Sequence, residues 1–354
     1  MAIDHASYFV ARVHPFETWG TPPPYYESAI AFVTRWITHL CAPGFFLLMG
    51  AGMVWFAESR RAAGWTTARI RRALMTRGGV LILVQQFVEN PAWLIGMLTG
   101  SPEAIVATSY PGGSGDAVLF MGVITALGVA LIFWAFWIDS TSGVIWQIAI
   151  GAVAVTLLMT PPPAISPGWL RWLVIPGVTG VTQVLYPFLP WLAPAGLGIV
   201  MGRMVTPSPA LAFERLAGFG IVSIMGFVIL RLLAVGDPHP PHPGVIGFLT
   251  ITKYPPSLAF FTMTIGLDLV LLWILARTRA PWLAPLEVFG RVPLFFYLLH
   301  LYVFGIASIF FRDGAGFAAM YGVWAVGLVA MYPLCRWYAG FKASRPIDSL
   351  WRLF

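Results

Sequence analysis

The amino-acid sequence predicts an all-α, polytopic membrane protein: a bundle of about 9–11 transmembrane helices with no sizeable soluble domain. Of its 354 residues, 58% are hydrophobic and only 10% are charged, whereas soluble domains carry about 25% charged residues. So few charges are not enough to cover a water-exposed surface. Apolar runs long enough to span a bilayer recur along the whole chain, and they are continuous rather than alternating, which favours helices over a barrel.

Nine apolar runs predict nine helices within a single membrane domain that covers residues 1–354. Their approximate bounds are 29–57, 78–98, 116–137, 143–160, 184–204, 215–235, 257–276, 288–311 and 317–338. Residues 1–13 have the character of the end of a further helix. Segment 161–183 begins Pro-rich, and a re-entrant or interfacial helix around Trp169 is one interpretation of its second half.

The arginines predict the orientation, because basic residues mark cytoplasmic loops. Segment 58–77 is predicted to be a cytoplasmic loop because it holds Arg60, Arg61, Arg69, Arg71, Arg72 and Arg77. Alternation of sides then places the loops near Arg203 and Arg277, and the C-terminal tail, on the same side. The net charge of +7 is explained by this topology, so nucleic acid is not an expected partner and membrane lipids are.

The cysteines and exposed histidines give no metal prediction. Cys41 and Cys335 lie in apolar runs, which excludes a disulfide framework and a Cys-based metal site. His239 and His242 lie in a Pro-rich loop without nearby thiols or a carboxylate triad, which is weak evidence for a metal.

Two polar pairs at membrane depth are the main catalytic candidates, since burying an ionisable group there costs a few kcal/mol or more. Asp4 and His5 stand at the outer end of the first helix, where a histidine could serve as a general base. Adjacent helical residues face different directions, so Asp4 is not expected to orient His5; a helix-end pair facing water is the alternative.

Arg35 and His39 form the second pair and share a helix face, four residues apart. A nearby guanidinium favours a neutral imidazole, which could act as a base. Pro43 and Gly44 predict a kink beside His39. The alternative is a structural hydrogen bond between helices.

Glu89 and Asn90 precede Pro91, which frees a backbone carbonyl that needs a partner. These two residues therefore suit a structural role as well as a substrate contact. His300 follows an aromatic run, where a satisfied core histidine is the alternative to a functional one.

Asp268 lies in the middle of the predicted helix 257–276. We expect it to pair with Arg231, Arg291 or a histidine, either as a structural ion pair or as a proton relay of a transporter.

Six segments, taken in order, resemble bacterial relatives of heparan-α-glucosaminide N-acetyltransferase. They span nearly the whole chain, and together they are specific. The strings are MAIDHASYF at 1–9, FVTRWITHLCAPGFFLLMG at 32–50, YPFLPWLAPAGLGIVMG at 186–202, RLLAVGDPHP at 231–240, FLTITKYPPSL at 248–258 and FGRVPLFFYLLH at 289–300.

The resemblance implies an integral-membrane acyltransferase of the bacterial inner membrane that needs no metal. Acetyl-CoA is the implied co-substrate, presented from the cytoplasmic side. A glycan or amino-sugar acceptor, reacting through an amine or hydroxyl, is implied on the outer side, and a homodimer is compatible with this expectation. The implied base is His5, with His14, near Trp19, as second choice. Family members begin with a charged segment before the first helix, and that segment is absent here. The first helix is therefore expected either to be truncated at the N-terminus of this sequence or to be short.

These expectations combine into one mechanism. His5 removes the acceptor's proton, while His39 with Arg35 polarises the thioester carbonyl. The coenzyme A phosphates are expected at Arg60, Arg61, Arg69, Arg71 and Arg72. The expected substrate contacts are Glu89, Asn90, Arg231, Asp237, Lys253, Tyr254 and His300.

Two other functions are consistent with the composition. A proton-coupled secondary transporter of a small solute would use Asp268, Arg231 and the histidines, although the inverted repeats common in transporters are not visible in the sequence. A membrane scaffold without chemistry would not require so many costly polar groups.

Overall fold

The described part of the computed structural model comprises residues 1–101, 119–160, 168–278, 280–346 and 349–352. Within it the chain is a helical bundle with one small sheet, which confirms the predicted fold class. Seven helices are long and apolar enough to cross a membrane, and two shorter apolar helices accompany them. The chain is therefore a multi-pass membrane protein, as predicted.

Three of the helical stretches change geometry along their length. Helix α1 (Ala2–Ala6) continues into a π turn (Ser7–Ala11). Helix α2 (Ala29–Trp36) passes through a 3-10 turn (Ile37–Leu40) into α3 (Cys41–Ala62). Helix α4 (Thr67–Val84) passes through a π turn (Gln85–Glu89) into α5 (Asn90–Thr99).

Most of the remaining helices lie within the predicted apolar runs, but the predicted helix 288–311 is divided at Val292, and the helix at Gly244–Leu249 was not predicted. The remaining helices are α6 (Val123–Trp137), α7 (Ser142–Leu158), α8 (Leu170–Leu173), α9 (Phe188–Val205), α10 (Pro209–Leu232), α11 (Gly244–Leu249), α12 (Leu258–Arg277), α13 (Ala284–Arg291), α14 (Pro293–Ala307) and α15 (Phe317–Ser344). Short 3-10 turns lie at Pro281–Leu283, Ser308–Phe310 and Leu350–Arg352.

The prediction of a long loop at 58–77 is wrong. Helix α3 runs to Ala62, and α4 begins at Thr67, where the Thr66 side chain caps it by accepting a hydrogen bond from the Arg69 amide. Arginine is a good helix former, so the basic residues extend both helices instead of interrupting them. They consequently lie on ordered helix ends.

The region around 161–183 also differs from its prediction. A three-stranded sheet is built from β1 (Leu119–Met121), β2 (Gly177–Thr179) and β3 (Thr182–Val184), in the order β1-β3-β2. The predicted re-entrant helix is reduced to the four residues of α8, while 161–167 lie outside the described residues. The sequence did not predict this sheet, because strands of three residues are too short to show an alternation of apolar and polar residues.

Close helix pairs are formed where glycines meet across an interface, as expected when small residues drive packing in lipid. A Cβ on Gly50 of α3 would lie 2.0 Å from the Ala195 carbonyl oxygen of α9. Similarly, a Cβ on Gly78 of α4 would lie 2.6 Å from the Gly128 oxygen of α6. These close contacts leave no room between the paired helices.

Helix α3 separates two ends of the bundle. His39 lies just before its first residue and Arg60 lies in its last turn. At 1.5 Å per residue the two positions are ~30 Å apart along the axis, which is the thickness of a hydrocarbon core. We call these the histidine end and the arginine-rich end.

Candidate functional site

The adjacent residues Asp4 and His5 point into two neighbouring polar clusters at the histidine end. We call Asp4, His14, Glu17, Arg35 and His39 the Arg35 cluster. We call His5, Glu89, Trp93, Tyr297 and His300 the His5 cluster. All these side chains are buried except that of Asp4, which is 13% exposed.

Arg35 is the centre of the first cluster and binds two carboxylates. Its Nε and Nη2 atoms donate to Glu17 Oε1 and Oε2 over 3.0 and 2.7 Å. Its Nη1 atom donates to Asp4 Oδ1 over 2.9 Å. Because the guanidinium is only 3% exposed, removing either partner would leave a buried charge uncompensated. Arg35 therefore fixes the positions of helix α1 and the loop that follows it.

His14 is held between Arg35 and Asp4. Its Nε2 atom lies 3.2 Å from Arg35 Nη1, and its Nδ1 atom lies 3.5 Å from Asp4 Oδ1. A guanidinium can only donate, so Nε2 accepts and the His14 proton is on Nδ1. Burial and then Arg35 lower the pKa of His14 to about 4. The lone pair of His14 Nε2 already accepts a hydrogen bond from Arg35, so it is not available to a substrate proton.

Glu17 is a site residue that the sequence analysis missed. Besides Arg35 it accepts a hydrogen bond from the Tyr26 hydroxyl over 3.0 Å. Burial alone would raise the pKa of the Glu17 carboxyl, but Arg35 and His39 lower it to about 2. It was overlooked because it lies before the first long predicted helix, 29–57, in a segment without an apolar run. Residues 12–16 form no helix, so the spacing of three from His14 gives no signal either.

His39 joins the same cluster from the 3-10 turn between α2 and α3. Its Nδ1 atom donates to the Arg35 carbonyl oxygen over 3.0 Å, and its Nε2 atom lies 3.5 Å from Glu17 Oε1. The predicted break beside His39 is present as the 3-10 turn Ile37–Leu40. Pro43, early in α3, has no amide proton to donate to the His39 carbonyl oxygen four residues earlier.

His5 and His300 form a direct hydrogen bond of 2.6 Å between Nδ1 and Nε2. Their ring planes differ by 3° and their centroids are 4.9 Å apart, as an in-plane hydrogen bond requires. His300 Nδ1 lies 2.8 Å from the Phe296 carbonyl oxygen, so it must donate there, and His300 Nε2 must accept from His5. His5 Nε2 is left without a proton, and among the described residues none hydrogen-bonds to it.

Glu89 organises the aromatic walls around His5. Its Oε1 atom accepts from the Tyr297 hydroxyl over 2.7 Å and from Trp93 Nε1 over 3.0 Å. Both rings meet His5 edge-on, with centroids 5.7 and 5.0 Å away. Asn90 bonds to Gln85 and Gln86, so its side-chain amide is engaged within its own helical stretch.

Arg231 and Asp237, two predicted substrate contacts, hold the loop between α10 and α12. Arg231 donates to four backbone carbonyl oxygens, those of His239, Gly247, Phe248 and Thr250. Asp237 accepts from Thr252 and Ser257 through both of its oxygens. Their polar atoms are thus engaged within the loop.

Lys253 and Tyr254 connect this loop to the Arg35 cluster. Both backbone amides donate to the Glu17 carbonyl oxygen over 3.0 Å. The Lys253 side chain is buried, and its Nζ atom lies 5.1 Å from the centroid of the Tyr254 ring. Within the described part of the chain it forms no ion pair within 4.0 Å.

The five arginines predicted for coenzyme A do not gather in one place. Arg61 and Arg71 both pair with Asp139. Arg60 lines a cavity of about 640 Å³, and Arg69 and Arg72 line a neighbouring cavity of about 250 Å³.

Asp268 has none of its predicted partners. Its carboxyl lies against Gly44 of α3, where a Cβ would be 3.4 Å away, and Oδ2 is buried without a hydrogen bond within the described residues. Arg231 is engaged by the loop, and Arg291 pairs with Glu287 at the surface. The predicted ion pair of Asp268 is therefore wrong.

A scan against protein-family models and a search of curated proteins gave no match. The resemblance to the acetyltransferase family consequently rests on the sequence motifs.

Proposed function

We propose that this protein is a membrane acyltransferase similar to heparan-α-glucosaminide N-acetyltransferase. It would transfer an acetyl group from acetyl-CoA, presented at the arginine-rich end, to a sugar amine or hydroxyl at the histidine end. The observation that supports this most directly is the His5–His300 hydrogen bond, whose direction leaves the lone pair of His5 Nε2 available. A buried neutral imidazole is a suitable general base.

In this mechanism His5 Nε2 takes the proton of the acceptor as its nitrogen or oxygen attacks the thioester carbonyl carbon. The new carbon–nitrogen or carbon–oxygen bond forms, and the carbon–sulfur bond then breaks. The coenzyme A thiolate leaves and receives the proton from His5, which restores the neutral imidazole. His300 steadies the imidazolium in between, because its Nε2 keeps accepting the His5 Nδ1 proton.

The charge that develops on the carbonyl oxygen needs a cation or donor. The polar atoms of Arg35 are committed to Glu17, Asp4 and His14, so Arg35 acts as a positioning residue. Lys253 is the better candidate, because its ammonium is buried, lies near enough to lower the pKa of Glu17 and has no carboxylate within 4.0 Å in the described residues.

The test is acetyl-CoA turnover by the purified protein with amino sugars as acceptors. We expect His5→Ala to lower turnover roughly 10²–10⁴-fold, the usual contribution of a general base. His242→Ala is the matched control, since His242 is exposed in the loop between α10 and α12. Wild-type turnover by His5→Ala would contradict the proposal, and a His14→Gln defect equal to that of His5→Ala would move the base to His14.

A proton-coupled transporter is the second candidate, and Asp268 is the observation that favours it. A buried carboxyl whose Oδ2 atom has no hydrogen-bond partner among the described residues suits a proton relay. Solute uptake into liposomes that lack acetyl-CoA, abolished by Asp268→Asn, would favour transport over acyl transfer.

A further inference from the structure

A cavity of about 740 Å³ lies where α7 and α10 end and α12 begins. Its volume is typical of sites that hold a small molecule, which range over ~300–1,000 Å³. Most of its walls are apolar, and we call it the apolar cavity. The residues that line it include Trp19, Leu157, Leu230, Val235, Pro255 and Leu258.

The apolar cavity lies at the histidine end of the bundle. Helix α7 starts just after the turn of Asp139, which pairs with Arg61 at the arginine-rich end. The 17 residues of α7 rise about 25 Å, so its last residue, Leu158, is near the opposite boundary of the hydrocarbon core. The loop that follows α10 contacts the backbone of Glu17, in the Arg35 cluster. Both helices beside the cavity therefore end on the side of the polar clusters.

The apolar cavity opens on the surface that faces lipid. Leu157 and Val235 both line it, yet they are 37% and 48% exposed. Leu158 and Leu232, the last residues of α7 and α10, are exposed as well. At this depth exposed aliphatic side chains contact the hydrocarbon tails of lipids. The cavity is therefore accessible to a hydrocarbon chain from the bilayer.

The polar side chains that line the apolar cavity are already engaged within the protein. The Thr156 and Thr160 hydroxyls donate to the backbone carbonyl oxygens four residues earlier, over 2.8 and 2.9 Å. The Ser257 hydroxyl donates to Asp237 Oδ2 over 2.6 Å, and Asp237 also accepts from the amide and hydroxyl of Thr252. Because these hydroxyl protons are committed, a polar ligand would lose hydrogen bonds to water without regaining them here. The walls consequently favour a hydrocarbon occupant.

Two short segments join the apolar cavity to the Arg35 cluster. Trp19 lines the cavity two residues after Glu17, and its amide donates to the Tyr254 carbonyl oxygen over 3.2 Å. Pro255 lines the cavity directly after Tyr254, whose own amide donates to the Glu17 carbonyl oxygen. Trp has an apolar body and a polar tip, which suits a boundary between a chain and a head group. A molecule whose chain fills the cavity thus has its head group beside Glu17 and Lys253.

We infer that the acceptor is a glycolipid: an amino sugar on a hydrocarbon chain, with the chain in the apolar cavity and the sugar at the polar clusters. This inference rests on the proposed function and names the class of acceptor. A chain gains little hydrophobic free energy on moving from the bilayer into an apolar cavity. Its contribution is to hold the sugar beside the site at a high effective concentration, in one orientation.

Acetyl transfer in nanodiscs to methyl glucosaminide and to hexadecyl glucosaminide tests the inference. We expect the hexadecyl compound to have a KM at least tenfold lower. Leu157→Trp fills part of the cavity and should reduce this preference roughly tenfold, and Val235→Trp should do the same from the facing helix end. Leu158→Trp is the matched control, because Leu158 is the exposed neighbour of Leu157 and does not line the cavity. It should keep the preference, including any part that comes from partition of the long chain into the bilayer.

Photolabelling gives a second readout that does not need turnover. Hexadecyl glucosaminide with a diazirine in its chain should label the peptides that contain Leu157 and Val235. Labelling should fall at least fivefold in Leu157→Trp and persist in Leu158→Trp. Phosphatidylcholine with the same diazirine chain is the comparison, and it should label these peptides at least tenfold less. Thermal unfolding of each variant shows whether it is folded, and Val235→Trp replaces Leu157→Trp if the latter is not.

The possible outcomes separate this inference from the proposed function. An equal chain-length preference in the wild type and the cavity variants would overturn the inference, even if acetyl transfer is observed. Equal labelling by the glucosaminide and by phosphatidylcholine would also overturn it, because the cavity would then be a general lipid site. Selective labelling of the cavity by the glucosaminide without any acetyl transfer would keep the glycolipid site and refute the proposed function.

Discussion

The two ends of the bundle both concentrate charge, but they hold it in different ways. At the histidine end, Arg35 is enclosed by Glu17, Asp4 and His14, and its donors are directed at named acceptors. At the arginine-rich end, six cations line a cavity without an acidic residue among its described walls. The first arrangement pairs its cation with two carboxylates, whereas the second gathers cations from several helices around one cavity.

This difference indicates separate roles. A buried, paired cluster fixes geometry, and it does so beside His5, whose hydrogen bonds leave the lone pair of Nε2 available. The proposed reaction places its chemistry at the end where the polar side chains are paired with one another.

The largest loss of stability is expected when the ion pairs of the Arg35 cluster are removed. Arg35→Gln leaves Glu17 and Asp4 buried without their cation, and such losses cost about 3–5 kcal/mol. Arg61→Gln removes an arginine from the largely exposed pair with Asp139, where about 0–1 kcal/mol is typical. Thermal unfolding in detergent measures both. Similar losses of melting temperature in the two variants would contradict the assignment of Arg35 as the centre of the cluster.

The pH dependence of stability gives a smaller effect at the same end. His14 has a pKa of about 4 when folded and an ordinary value of 6.5 when unfolded. The unfolded chain therefore binds more protons between these values. The contribution of neutral His14 to the free energy of unfolding is therefore complete above pH 6.5. It is lost as the pH falls towards 4, and the total loss is no more than about 3 kcal/mol.

His14→Gln removes this titration, so its melting temperature should fall less than that of the wild type between pH 7 and pH 5. Glu17 does not interfere in this window, because its lowered pKa affects stability only below about pH 4.5. Parallel curves for the two proteins would show that His14 is not buried between Arg35 and Asp4.

The smallest change in stability is expected at the arginine-rich end, where a substitution should stabilise the protein slightly rather than destabilise it. Arg336→Gln removes one of several repelling cations from an exposed position, so stability at low ionic strength should stay equal or rise by less than about 1 kcal/mol. The gain should disappear in high salt, which screens exposed charges. A loss comparable to that of Arg35→Gln would show that the cations around this cavity are a structural element of the fold.

The sequence predicted the helices well because length and hydropathy determine a membrane span. His5, Arg35 and His39 could be identified because ionisable groups are costly in lipid. Glu17 could not be identified in the same way, since it lies in a Pro-rich segment that contains no apolar run. Its burial results from the fold of that segment against Lys253 and Tyr254.

Contacts between distant segments were equally hidden. His5 and His300 are 295 residues apart in sequence, so no local spacing links them. The cationic cavity at the arginine-rich end likewise depends on the end of α13, the end of α15 and Arg352, which folds back onto Lys342. The sequence pointed instead to the five arginines between residues 60 and 72. Asp268 was expected to pair with a cation, because a buried carboxylate is costly without one. That no described cation lies beside it becomes visible only when the helices are packed.

The most direct test of the central claim is vectorial acetyl transfer in liposomes. The protein is inserted with its arginine-rich end outward, labelled acetyl-CoA is added outside and glucosamine is trapped inside. We predict that labelled N-acetylglucosamine accumulates in the lumen with the wild type and the His242→Ala control, and not with His5→Ala. Failure of the wild type to label any of a panel of trapped amino sugars, or equal labelling by His5→Ala, would contradict the account.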